Sequence, residues 1–294
     1  MDAENTLTMK TSITISAPAK LNLFLHITGQ REDGYHLLQT IFQFLDYSDT
    51  ITLTLRKNGQ INRLSELKGV PADDDLVVKA AKLLQQHCDC GSHLGVDIFV
   101  EKKLPMGGGL GGGSSNAASV LVGLNHLWGC ELSQQQLMDL GVQLGADVPV
   151  FIFAQSAWAE GVGERLKSID LPEKWFLVLK PQINVSTAKV FSNSQLRRDC
   201  STITIRDFLA GQTQNVCEAP VREMYPEVDE ALIDLARYSE DGESRLTGTG
   251  ACVFAAFDSR ELAEKAFSDL SVKWDGFVAK GMNQTPLKEF FPLS

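Results

Sequence analysis

The stretch LPMGGGLGGGSSNAASVLVGLNHLW, from Leu104 to Trp128, carries six glycines straight into a helix pattern. A flexible linker would have polar, unstructured flanks. Here the strand pattern GVDIFVEKKLP precedes the glycines and an apolar helix pattern follows. Gly107, Gly109 and Gly112 match the dinucleotide-binding spacing G-x-G-x-x-G. However, Lys102-Lys103-Leu104-Pro105 separates them from the strand that such a turn should follow directly. A Walker A loop ends in Gly-Lys-Ser/Thr, whereas this one ends Gly113-Ser114-Ser115, without the lysine. What remains is a phosphate cradle. Glycine permits the positive-φ turns that aim consecutive N–H groups inward, and no Cβ blocks an approaching phosphate. The helix N-terminus adds free N–H groups and a favourable dipole. Ser114 or Ser115 can cap the helix or offer a hydroxyl to a phosphate or metal ion. Lys102 and Lys103 supply local positive charge.

Other residues could complete the chemistry. Asp147, in GADVPVF, could accept a proton from an attacking hydroxyl. An aspartate before Val-Pro is equally at home in a turn, and the pattern alone leaves both readings open. Lys20 in PAKLN interrupts an apolar strand; it either faces solvent or points into a cleft, where its charge would stabilise a transferred phosphoryl group. Asn22, two residues on, shares its strand face. The Asp33-Gly34 turn presents Tyr35 and His36, and Gly248 and Gly250 in TGTGAC form a turn before a strand. In HCDCGSH, His87, Cys88, Cys90 and His93 crowd together, but one residue between the cysteines is short of zinc-site spacing, so a polar loop is expected. The six cysteines lack framework spacing and read as free thiols in a reducing compartment.

The elements that must position these groups mix strands and helices without strict alternation, which favours an α+β fold. TSITISAPAKLNLFLHI reads as two strands meeting near Pro18, and DTITLTL as an alternating strand. DLVVKAAKLLQQH is an amphipathic helix, and Ser133 caps a helix over SQQQLMDLGVQLG. WFLVL, ACVFAAF and DGFVAKGM read as strands; REMYPEVDEALIDLARY and SRELAEKAFSDL read as helices. At 294 residues two domains are expected, 1–162 and 163–294. With 44% hydrophobic and 22% charged residues the chain reads as globular and soluble, and its net charge of −10 argues against non-specific nucleic-acid binding. The start MDAENTLTMK has no secretory character and no apolar run reaches membrane-spanning length, so a cytoplasmic location is expected.

Pro105-Met106 with GGGLGGGSSNAA resembles the second motif of the galactokinase, homoserine kinase, mevalonate kinase and phosphomevalonate kinase (GHMP) superfamily. APAKLNLFL resembles its first motif and LTGTGACVFA its third, so the resemblance covers nearly the whole chain. APAKLNLFLHITGQREDGYHLLQTIFQFLDYSD and LGADVPVF narrow it to the branch whose acceptor is a cytidine diphosphate-linked polyol. The resemblance implies a ribosomal-protein-S5-like nucleotide domain packed on a ferredoxin-like C-terminal domain, with the site in the cleft between them. It implies ATP as phosphoryl donor, carried with Mg²⁺, and transfer to a 2-hydroxyl on the non-mevalonate route to isoprenoid precursors. Lys20 and Asp147 become the catalytic pair, within hydrogen-bonding distance, and Asn22 orients the acceptor. Pro105, Met106, Gly107, Gly108, Gly109, Leu110, Gly111, Gly112, Gly113, Ser114 and Ser115 hold the ATP phosphates. Adenine would lie near Asp75, Leu76 and Lys102, with Leu76 and Val77 as an apolar wall; relatives carry Asn at position 75, and an ionised aspartate cannot donate a hydrogen bond. Tyr35 and Phe191 would cover the two faces of the cytosine, His36 would read its edge, and Gly248 and Gly250 would approach the substrate's diphosphate. With no paired acidic motif, Mg²⁺ would ride on ATP, and Ser114 or Ser115 would be its candidate protein ligand. Partners are then small molecules, without nucleic acid or membrane, for a monomer or weak homodimer. The rival readings are a superfamily kinase for homoserine, mevalonate or a sugar, and a catalytically silent nucleotide sensor.

Overall fold

The computed structural model describes residues 11–67, 69–88, 93–211, 213–239 and 242–291. Its spine is a pair of long antiparallel strands, β1 (Ser12–Gln30) and β2 (His36–Arg56), joined through the Asp33-Gly34 turn. β1 is one strand, not two. Its pairing with β2 slips between Pro18 and Lys20 and resumes at Lys20↔Phe44. Proline lacks an N–H to donate to the ladder, and a bulge-like slip accommodates it without ending the strand. β2 likewise runs through DTITLTL and its upstream sequence without a break.

The far half of β2 pairs with β4 (Gly95–Glu101), which carries the short parallel strand β3 (Ile61–Arg63) at its edge. The near half pairs with β5 (Ala157–Gly161), followed by β6 (Arg165–Ser168). At Phe44 and Leu45, β2 also meets β10 (Asp275–Met282), which leads to β7 (Trp175–Lys180), β9 (Val253–Phe257) and β8 (Arg245–Leu246).

Two main cores lie along this framework. The first packs α1 (Leu76–His87), α2 (Gly112–Trp128), α3 (Gln134–Leu144) and α4 (Val148–Phe153) against β1, β2 and β4. Val77, Val78, Ala80, Ala81 and Leu84 form the buried stripe of α1, and the Ser133–Gln136 capping box starts α3. α2 is buried almost all round. It approaches the sheet so closely at Gly123 that a Cβ would lie 2.5 Å from the Ile15 side chain. The second core gathers α5 (Thr187–Ser192), α7 (Glu218–Met224), α8 (Pro226–Ala236) and α9 (Arg260–Leu270) around β7 and β9. α6 (Ile205–Leu209) packs separately through Phe208 against Phe24. REMYPEVDEALIDLARY forms two helices, not one, because Pro226 starts α8 and holds Tyr225 extended at φ −135°, ψ 86°.

The cysteine expectation is corrected. Cys88 closes α1 and Cys130 follows α2, and the packing of these helices brings their Cα atoms to 5.3 Å with the sulfurs bonded as a disulfide. Cys200, Cys217 and Cys252 are buried free thiols. Of the HCDCGSH cluster, Cys90 lies outside the described residues and Cys88 is committed to the disulfide. Among the described residues no group of His, Cys, Asp or Glu could hold a metal ion.

Candidate active site

After the slip at Pro18, β1 turns Lys20 and Asn22 into the interior, each less than 5% exposed. Lys20 Nζ donates to Asn22 Oδ1 at 2.5 Å and lies 3.2 Å from Asp147 Oδ2. Asp147 occupies the N-cap position of α4 without using its side chain as a cap, and that side chain is 34% exposed to the cleft. Asn22 Nδ2 donates to Thr40 Oγ1 at 3.0 Å, while the Thr40 hydroxyl donates to the Phe24 carbonyl. Thr40 therefore has only acceptor capacity left for Asn22, which keeps the Asn22 oxygen turned toward Lys20.

The glycine loop is tied to this strand at both levels. Lys20 N–H donates to the Leu110 carbonyl at 3.0 Å. Thr247 Oγ1 accepts from Asn22 N–H at 3.1 Å and donates to the Gly109 carbonyl at 3.3 Å. Gly107, Gly109 and Gly111 have φ of 68°, 75° and 71°, so alternate residues adopt the left-handed conformation that the loop demands. At Gly109 a Cβ would stand 2.2 Å from the Thr247 carbonyl oxygen; at Gly111 it would meet the Phe151 ring at 2.8 Å. α2 begins at Gly112 with Gly111 as N-cap and no side-chain cap, leaving its first N–H groups for an anion.

Three cavities join end to end here. One of about 340 Å³ is lined by Asp75, Leu76, Lys102, Pro105, Met106, residues 107–114 and Asn116. It shares Gly107, Gly109, Gly111 and Ser114 with a second of about 330 Å³, which holds Lys20, Asn22, Thr40, Asp147, Gly248 and Gly250. The second shares Leu38, Ala146, Val162 and Phe191 with a third of about 480 Å³, lined also by Tyr35 and His36. Tyr35 is 64% exposed. His36 stacks on Phe191 at 5.0 Å between ring centroids, and burial, then the Arg198 charge, lower its pKa below the usual imidazole value. The two rings lie nearly parallel, at 23°, so His36 stacks on the Phe191 ring expected to cover one face of the base.

Some sequence expectations change. Ser114 lines both the glycine-lined and the middle cavity, but Ser115 is fully buried with its hydroxyl unpartnered, so it does not reach either cavity. Neither serine caps α2, because the helix starts two residues before Ser114. Val77 is not part of an adenine wall; it is buried in the first core, and only Leu76 faces the cavity. Asp75 caps α1 through Val77 N–H at 3.1 Å and pairs with Arg63 at 2.8 Å, so both its oxygens are engaged within the fold. Lys102 is not a free positive charge: it is ion-paired with Asp49, which is wholly buried and also accepts from Lys103 N at 2.7 Å and Leu104 N at 2.8 Å. Asp49, Thr40, Thr247 and Arg198 escaped the sequence reading. Thr247 opens the TGTGAC motif, whose glycines carry the stronger signal; the others lack a local signature.

A model of the GHMP kinase N-terminal domain matches residues 75–155, and one of the GHMP kinase C-terminal domain matches 202–275. The fold and the joined cavities thus define a small-molecule kinase of the two-domain GHMP type. The 4-diphosphocytidyl-2-C-methyl-D-erythritol kinase of Nitrosococcus oceani is 54% identical, covering 92% of this chain and 95% of its own. That of Methylococcus capsulatus is 52% identical, covering 98% of each. A crystal structure of 4-(cytidine 5'-diphospho)-2C-methyl-D-erythritol kinase aligns with TM-score 0.79 at 30% identity, over 92% of this chain and 99% of that one. Homoserine kinase from Cytophaga hutchinsonii, at 15% identity and TM-score 0.65 over 95% and 96%, shares the fold. The chain belongs to the 4-diphosphocytidyl-2-C-methyl-D-erythritol kinase family.

Proposed function

We propose that this protein transfers the γ-phosphate of ATP to the 2-hydroxyl of 4-(cytidine 5'-diphospho)-2-C-methyl-D-erythritol, releasing ADP, on the non-mevalonate route to isoprenoid precursors. The observation that carries this reading is the position of the Lys20–Asp147 pair, in the middle cavity between a glycine-lined chamber and an aromatic one. ATP enters the glycine chamber, with its terminal phosphates on residues 107–114. The cytidine enters the aromatic chamber beside Tyr35, His36 and Phe191, and its polyol reaches the middle cavity. Asp147 accepts the hydroxyl proton as the oxygen attacks, and Lys20, held by Asn22, stabilises the charge on the moving phosphoryl group. Gly248 and Gly250 let their backbone approach the substrate's diphosphate.

The donor set suits Mg²⁺ brought in on ATP, not an ion held by protein carboxylates. Among the described residues no group of three or more His, Cys, Asp or Glu is placed to hold a metal ion, and of the two candidate serines Ser114 lines the cavity wall. The ion would neutralise charge on the β- and γ-phosphates. For the domain boundary we keep residues 162 and 163. Ala157 and Ala159 belong to the first core and Leu177 and Leu179 to the second, while Leu25, Ile27 and Leu287 cross over. We place the protein in the cytoplasm as a monomer or weak homodimer; no described helix is long and apolar enough to cross a membrane.

The test is ADP release from Mg-ATP with the cytidyl substrate, mevalonate, homoserine or galactose as acceptor. Release with the cytidyl substrate alone supports the reading. Release with another acceptor reassigns the aromatic chamber, and none with any acceptor points to a sensor.

A further inference from the structure

We propose that Arg198 is a positioning residue that locks His36 in a single tautomer and so decides which pyrimidine edge the aromatic chamber accepts. The inference rests on the cytidine reading above. Arg198 lies between α5 and α6 and spends its guanidinium on four contacts. Nε donates to His36 Nε2 at 3.2 Å, Nη2 donates to the carbonyls of Phe191 at 2.6 Å and Asn193 at 3.0 Å, and Nη1 donates to the Leu196 carbonyl at 3.0 Å. His36 is in turn stacked on the Phe191 ring. One side chain thus fastens both the backbone of Phe191 and the ring of His36, two walls of the same chamber.

The tautomer follows from the donor. A guanidinium has N–H groups and no acceptor, and it stays protonated at any pH the fold survives. The nitrogen it addresses must therefore carry a lone pair. Neutral His36 then holds its proton on Nδ1, and Nδ1–H is the one ring group left to offer a ligand. Stacking against aromatic rings tolerates every base, because each has a π-face. Discrimination needs an edge contact, and a fixed donor matches the N3 lone pair of cytosine while opposing the N3–H of uracil. Leaving such donors unpaired costs enough for roughly a tenfold to hundredfold preference.

The first experiment is long-range ¹⁵N–¹H correlation on protein carrying ¹⁵N-histidine, at pH 7.5 and without substrates. His36 should show protonated Nδ1 and unprotonated Nε2; a protonated Nε2 overturns the proposal whatever the substrate proves to be. The second compares wild type with Arg198→Gln. The variant should populate both tautomers and raise KM for the cytidyl acceptor about tenfold with kcat nearly unchanged. Its preference for CMP over UMP, read by titration calorimetry, should also fall about tenfold. An unchanged CMP preference in a folded variant overturns the proposal. Should the variant not fold, the wild-type tautomer still decides. Failure of the kinase reading would show separately, as absent ADP release with the cytidyl acceptor.

Discussion

Lys20 Nζ and Asp147 Oδ2 stand 3.2 Å apart, the one side chain 3% exposed and the other 34%. The pair is half in the protein and half in the cleft: the lysine is held by Asn22 from behind, while the carboxylate keeps a face toward the middle cavity. That asymmetry suits a fixed cation beside a carboxylate that must meet a substrate hydroxyl. Asp147→Asn keeps the shape and removes the carboxylate proposed as proton acceptor. Turnover should fall on the order of 10²–10⁴-fold, with KM for both substrates and the melting temperature little changed. Steady-state kinetics beside a thermal melt checks this, and near-normal turnover would remove Asp147 from the role of base.

Gly109 is a different kind of requirement. Its φ is 75°, and a Cβ there would lie 2.2 Å from the Thr247 carbonyl oxygen, a backbone atom that no rotamer change can move. Gly109→Ala should destabilise the protein by about 2–4 kcal/mol, from left-handed strain plus overpacking, and raise KM for ATP. Gly34→Ala is the control. Gly34 also has positive φ, at 90°, but nothing lies within 4 Å of a Cβ there, so only the strain of about 1–2 kcal/mol should appear. Equal losses in urea unfolding of the two variants would refute the close-approach argument.

Asp49 anchors the start of the glycine loop by accepting from the Lys102 ammonium and two backbone N–H groups. Asp49→Leu leaves Lys102 without its counter-charge and should cost about 3–5 kcal/mol. Combining it with Lys102→Met removes the stranded charge and should recover a substantial part of that loss. A double-mutant cycle by chemical denaturation tests this. No recovery in the double variant would mean that the backbone contacts, not the ion pair, carry the stability.

Burial and nearby arginine charge hold two imidazoles below their usual pKa: burial then Arg197 for His26, and burial then Arg198 for His36. A lowered folded pKa means that the unfolded chain takes up protons first as pH falls. The associated stability is therefore present above pH 6.5 and is lost progressively below it, down to the folded values. The melting temperature should drop by on the order of a few degrees between pH 7.5 and 5.5. His26→Gln should flatten that slope; an unchanged slope would assign the acid sensitivity to other groups.

The glycine loop, the helix behind it and the alternating strands could be read directly, because they are consequences of local chemistry. Glycine permits positive φ, the apolar spacing in DLVVKAAKLLQQH makes a buried stripe, and Ser133 and Gln136 satisfy one another's backbone. The same local rules placed Lys20 and Asn22 on one strand face. They could not choose between solvent and cleft for Lys20, or between turn and base for Asp147, and the resemblance to a known superfamily supplied that choice.

Only tertiary structure decided the rest, because it depends on which distant segments become neighbours. Thr247 meets Asn22 across 225 residues, Arg198 meets His36 across 162 and Asp49 meets Lys102 across 53. Ser114 and Ser115 are adjacent and chemically identical, yet the rotation of one helix residue sends the first to the cavity wall and the second into the core. Cys88 and Cys130 form a disulfide because two helices end side by side. The residue types and their spacing determined what chemistry was available; the packing of distant segments decided which of those groups could reach one another, since a hydrogen bond or ion pair acts over about 3 Å and no sequence interval measures that distance.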